Sequence, residues 1–157
     1  MIGTDYSNKM KVLMYSPDPN GAPVYSRYLI AALKKEGTQA EFHSTLDGYK
    51  NYDIIHIQFE HSVFHPFGLR LIPTLIKLKF NRKKIIITSH TVLARKEIYA
   101  RNEFFASIKR ILLPLDEKLM SLFYDKMIVH TDYSKEILMK DYNIQNKKIG
   151  VIPHGAY

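Results

Sequence analysis

With 157 residues, 46% of them hydrophobic and 24% charged, the chain has the proportions of one ordinary domain that buries its own core. The absence of Cys excludes disulfides and thiolate metal sites; with no apolar run near the roughly 18 residues of a membrane span and no apolar core in "MIGTDYSNK", a cytoplasmic domain is expected. The net charge of +8 directs attention to anionic partners: nucleic acid, a phosphorylated substrate or an acidic membrane surface.

Residues 1–9 are polar and precede a second Met, Met10, so they are read as a flexible extension and the domain is set at 10–157. From Lys11 the chain alternates short runs rich in Val and Ile with stretches of helical spacing. "KVLMYS" predicts the first strand. Pro23 then suits the first turn of a helix with Tyr25, Tyr28, Leu29, Ala32 and Leu33 on one face, ended by Gly37. A weaker run, "QAEFHS", precedes "DIIHIQF". Next come a helix in "PFGLRLIPTLIKLK", the strand "KIIITS", and a helix in "EFFASIKRILLPLDEKLMSLFYD" expected to break or restart at Pro114. "KMIVHT" leads into a last helix, "DYSKEILMKDYN", with Asp132 or Ser134 as N-cap and Asn143 as terminator, and "KIGVIP" is the final strand. The runs are continuously apolar, as befits strands buried on both faces. The fold class is therefore α/β, a Rossmann-like doubly wound parallel sheet of about six strands with right-handed crossovers.

In such a sheet, ligands bind beyond the carboxyl ends of the strands. His61, His90, His130 and His154 all follow predicted strands, together with Glu60, Arg95 and Asp132. Any one such His can simply cap a helix or bond a carbonyl; four at one edge point to a site. Glu60, His61 and His65 could hold a metal only if the two imidazoles shared a helix face, and since that helix should begin near Pro66, no metal is expected. "SPDPNGAP" has one glycine and matches neither dinucleotide nor ATP loops, although Gly21 permits close backbone approach and the following helix N-terminus suits a phosphate. Without Cys or a G-x-S-x-G elbow, nucleophilic catalysis finds no support; His90, between Ser89 and Thr91, is the best-placed general base.

The succession "DIIHIQFE", "KIIITSHT", "KMIVHTDYSKEIL" and "KIGVIPHG" resembles the N-terminal domain of the family-4 retaining glycosyltransferases of GT-B architecture, from Met10 to Gly155. The resemblance implies one of two Rossmann-like domains flanking a cleft, the first mostly for the acceptor and the second for the nucleotide-sugar donor. It implies that Gly21 approaches the donor diphosphate and that His90 contacts the donor sugar near the reacting centre. Glu60, Thr91 and Arg95 would line the acceptor side, with His154 and Gly155 at the cleft lip. No cofactor is implied beyond the nucleotide-diphosphate sugar as donor substrate, and the acceptor would be a glycan or a lipid-linked glycan. The family's diphosphate-binding Arg and Lys belong to a C-terminal domain expected after "VIPHG", so a missing domain or partner subunit is expected and the chain alone should be inactive. The alternative is a stand-alone acceptor-binding or accessory domain without turnover.

Residues 69–84, "LRLIPTLIKLKFNRKK", carry six basic side chains and no acidic one. They read either as a solvated helix face or as a surface that rests on an acidic membrane at its inner face, with Arg70, Lys77, Lys79, Arg82, Lys83 and Lys84 at the headgroups. Nucleic acid is not an expected partner, because no helix-turn-helix, aromatic RNP motif or zinc finger is present.

Overall fold

The computed structural model describes residues 10–18, 22–60, 64, 71–98 and 102–153. Six strands form one sheet: β1 (Lys11–Tyr15), β2 (Gln39–His43), β3 (Ile54–Phe59), β4 (Lys84–Ser89), β5 (Lys126–Val129) and β6 (Ile149–Val151). Their order is β2-β1-β3-β4-β5-β6 and every pairing is parallel. The expected doubly wound α/β sheet is thus what the chain forms. The weak run at Gln39 is a true edge strand, because Ala40 packs with Val12 and Met14 beneath a helix.

Four helices flank the sheet: α1 (Ala22–Lys35), α2 (Leu71–Phe80), α3 (Glu103–Met120) and α4 (Asp132–Lys140). Alternation along each strand divides their work. Leu13, Ile55, Ile57, Phe59, Ile85, Ile87, Met127 and Val129 point to one face, where α2 adds Leu71, Leu75 and Leu78, α3 adds Leu113 and Met120, and α4 adds Ile137 and Leu138. The opposite face is smaller and meets α1 through Leu29, Ile30 and Leu33.

Three local expectations change. α1 turns Ser26 to the sheet and leaves Tyr28 and Ala32 exposed; a fully buried Ser allows the close approach that a Tyr would prevent. α3 runs unbroken through Pro114, at the cost of one i→i−4 bond, because Leu113 and Met120 on either side are both anchored in the core. The N-cap of α4 is Thr131, whose Oγ1 accepts from the Ser134 N–H at 3.0 Å.

Helix ends follow their expected chemistry. Gly37 (φ 82°) closes α1 in the left-handed region, with Thr38 N–H bonded to Leu33 O, and Asn143 (φ 54°) serves after α4. Arg82 (φ 56°) does the same after α2, where Lys83 N–H reaches Leu78 O. An L side chain there is strained by about 1–2 kcal/mol. Part of that strain is offset by the extra unfolded-state entropy of glycine, so Arg82→Gly should stabilise the domain by about 0.5–1 kcal/mol in urea denaturation. A lower denaturation midpoint would show that the Arg82 side chain contributes more than its backbone costs.

Candidate functional site

The α1 face of the sheet is apolar under β1 and β2 but polar along β3 and β4. His56 and Gln58 alternate on β3; Thr88 sits beside Gln58 on β4, and all three are buried. In an otherwise apolar strand, each such group must find a hydrogen-bond partner. His56 Nε2 lies 2.7 Å from Thr88 Oγ1, and Gln58 Oε1 lies 3.0 Å from His90 Nε2. A carbonyl oxygen can only accept, so His90 carries its N–H on Nε2 and, in the neutral ring, its lone pair on Nδ1. The Gln58 amide nitrogen turns the other way, 3.6 Å from Met14 Sδ. Burial, reinforced by the neighbouring His90, pushes the His56 imidazole down to about 4, so this member of the row is neutral at ordinary pH.

At the carboxyl ends of β4 and β5 the row opens to solvent. The rings of His90 and His130 are 5.3 Å apart, and Tyr25 from α1 meets both edge-on, at 5.2 Å and 5.5 Å. His130 Nδ1 lies 2.9 Å from Ile152 O, which makes Nδ1 its N–H nitrogen; this is the carbonyl bond expected of a strand-end His, here joined to a second imidazole. Beside them Thr91 Oγ1 donates to Glu60 Oε2 at 3.2 Å, and Ser89 Oγ donates to Thr91 O. The assembled wall thus offers two imidazoles, a phenol-bearing ring, a hydroxyl and a carboxylate. That set suits the hydroxyls of a polar ligand. Among the described residues it contains no Lys or Arg.

Of the expected site residues, His90, Glu60 and Thr91 come together at this edge. Arg95 takes another position: its backbone N–H donates to Asp141 Oδ2 at 2.9 Å, and it lines a hollow of about 380 Å³ with Tyr133, Glu136, Lys140 and Asp141 among its walls. Gly21, His61, His65, His154, Gly155 and Arg70 lie outside the described residues, as does the extension 1–9. Among the described residues no three potential ligands gather to hold a metal ion.

The basic segment is also resolved into parts. α2 keeps Leu71, Leu75 and Leu78 for the core, and its cations are partly engaged. Lys79 pairs with Asp125 at 2.7 Å, Lys77 lies over the Tyr49 ring, and Lys83 donates to the carbonyls of Lys50 and Tyr52. Lys84 begins β4 and is exposed. Among the described residues no helix is long and apolar enough to cross a membrane.

His56, Gln58, Thr88 and Tyr25 were not singled out as site residues in the sequence. A signal for the first three existed: in "DIIHIQFE" polar residues fall on the alternate positions 56, 58 and 60, and in "KIIITSH" Thr88 and His90 are two apart with Ser89 between them. That period of two marks one polar sheet face. A family model described as Glycosyltransferase Family 4 matches residues 9–156. No curated protein matches the chain.

Proposed function

The chain belongs to glycosyltransferase family 4, and from that premise we propose that it forms the acceptor-side wall of a GT-B active site that transfers a sugar from a nucleotide-diphosphate sugar to a glycan or lipid-linked acceptor. The observation that carries this reading is the meeting of His90, His130 and Tyr25 at the strand ends, backed by the buried Gln58 and His56. Imidazole and carboxyl groups recognise hydroxyl groups through directional hydrogen bonds. His90, fixed by Gln58, is the group we assign to the sugar at the reacting centre, and Glu60 with Thr91 the pair we assign to the acceptor.

Departure of a nucleotide diphosphate builds negative charge that cations must stabilise. Among the described residues the row holds none, so we assign those cations to a second wall and expect no turnover from the polypeptide alone. The start of α1 at Ala22 brings a helix N-terminus to the same edge, where Gly21 is proposed to approach the diphosphate.

The test combines binding with turnover. Acceptor glycans and nucleotide sugars should displace the imidazole ¹H–¹⁵N signals of His90 and His130, while the isolated polypeptide releases no nucleotide diphosphate and transfers no sugar. Robust transfer by the polypeptide alone would overturn the two-wall reading. Imidazole signals indifferent to every acceptor and donor would overturn the site. Binding without turnover even when a donor-binding domain is supplied would favour an accessory, acceptor-holding role.

A further inference from the structure

The hollow beside Arg95 is not used by the histidine row. One of its walls is a single face of α4: Tyr133, Glu136, Ile137, Lys140 and Asp141 follow one another at intervals that keep them on one side of a helix. The facing wall is the stretch Ala94–Lys96, at the 3-10 turn Arg95–Glu97. Three hydrogen bonds strap the two walls together. The Tyr142 hydroxyl donates to Leu93 O at 2.8 Å, the Arg95 N–H to Asp141 Oδ2 at 2.9 Å, and the Tyr133 hydroxyl to Glu97 Oε1 at 3.0 Å. Ala94 and Ile137 are buried and supply an apolar floor, whereas Arg95, Lys96 and Tyr133 stand exposed at the rim. The hollow is thus formed before any ligand arrives, which lowers the cost of binding one.

Its volume of about 380 Å³ falls in the range of roughly 300–1,000 Å³ that small-ligand sites occupy. The lining decides the chemistry of the ligand. Arg95, Lys96 and Lys140 bring donors, and Glu136 and Asp141 bring acceptors. Two carboxylates among three cations disfavour a phosphate or a polyanion, and so many charged walls disfavour an apolar peptide. A neutral ligand dense in hydroxyls suits them, because each hydroxyl both donates and accepts. Lys140 Nζ and Glu136 Oε2, 2.8 Å apart, set a donor beside an acceptor, as two neighbouring hydroxyls of a sugar ring require. The Tyr133 ring adds an apolar surface for the C–H face of a sugar. Both walls also lead from the row: Tyr133 follows His130 by three residues and Arg95 follows Thr91 by four, which limits the Cα separations to about 11 Å and about 14 Å.

We propose that this hollow is a second glycan-binding site, which holds a neutral stretch of the acceptor away from its reacting end. Calling the occupant an acceptor rests on the transferase reading; the binding of a glycan in the hollow does not.

The experiment is titration of the full chain with maltotriose, cellotriose, mannotriose and triacetylchitotriose. NMR signals of the Ile137 methyl groups and the Arg95 amide report on the hollow, and the imidazole signals of His90 and His130 report on the row. At least one trisaccharide should move the hollow signals saturably, and Tyr133→Ala should weaken that binding about 10-fold or more. Since Tyr133→Ala also removes the bond to Glu97, Lys96→Ala/Lys140→Ala provides a second variant that leaves the straps in place; it too should bind about 10-fold more weakly, with an unchanged melting profile. Hollow signals that move while the imidazoles stay silent would support the second site and count against the row. Imidazoles that move alone would overturn the second site and leave the transferase reading standing. Hollow signals indifferent to all four trisaccharides would overturn it as well, as would a response to inorganic phosphate alone, which marks an anion site, or wild-type affinity in both variants.

Discussion

Stability to urea should fall by roughly 2–3 kcal/mol between pH 6.5 and pH 8.5, and Glu117→Gln should remove most of that fall. Burial raises the Asp116 carboxyl to about 7, and burial followed by repulsion from Asp116 raises Glu117 to about 8. Both Asp116 oxygens lack a hydrogen-bond partner among the described residues. The groups facing Glu117 do not favour its charge: Tyr124 and Tyr142 have phenols raised by burial and by Glu117 itself. The nearby cation, Lys148, is over the Tyr124 ring and donates to the carbonyls of Ser121 and Tyr124. Each carboxyl therefore holds a proton in the folded state at a pH where the unfolded chain has released it. Folding takes up protons, and stability is lost as pH rises through the folded values. Each extra proton held costs about 1.4 kcal/mol per pH unit, and the window above pH 6.5 covers the last part of the Asp116 range and most of the Glu117 range.

His56 has the opposite sign. Its folded value lies below the ordinary one, so its contribution is present above pH 6.5 and declines only as pH falls toward 4. Working between pH 6.5 and pH 8.5 separates the carboxyls from it. Glutamine keeps the shape of Glu117 without an acid, so the variant should keep only the smaller fall, about 1 kcal/mol, that Asp116 causes across the window. Equal wild-type stability at the two pH values would sink the assignment of two buried neutral carboxyls to α3.

The same helix shows where sequence reading reaches its limit. The runs at Ile54–Phe59 and Lys84–Ser89 identify buried parallel strands because Ile55, Ile57, Ile85 and Ile87 can only be core, and the strand-to-helix alternation then restricts the topology. Helical periodicity in α3 tells only that its faces differ. It does not tell which face the sheet takes, and ordinary hydrophobic reasoning would turn Ile111, Leu115 and Leu119 inward. In α1 the ambiguity comes from Tyr25 and Tyr28, which can serve either face, whereas the small Ser26 decides how close the helix lies. At the site, His90 was legible because it ends a strand. Its support from Gln58 was not, since that contact joins residues 32 positions apart and depends on strand register.

That support carries the second large effect. With a donor-binding domain supplied, transfer should fall about 10²-fold in kcat for His90→Ala, with a much smaller change in KM, if His90 acts on the sugar as it reacts. Unchanged kcat would remove His90 from the reaction. Gln58→Leu tests how the ring is held. Leucine fills similar volume but cannot accept from Nε2–H, so the imidazole is free to exchange tautomers and rotate away from Gln58. Transfer should then fall roughly 10-fold, and the pH profile of kcat should shift, because the tautomer that presents Nδ1 is no longer enforced. A merely structural role for Gln58 would lower stability or soluble yield and leave the profile where it was. In His90→Ala, adding Gln58→Leu should cost little more, since there is no ring left to orient; two losses that multiply independently would show that Gln58 acts on the site by some route other than His90.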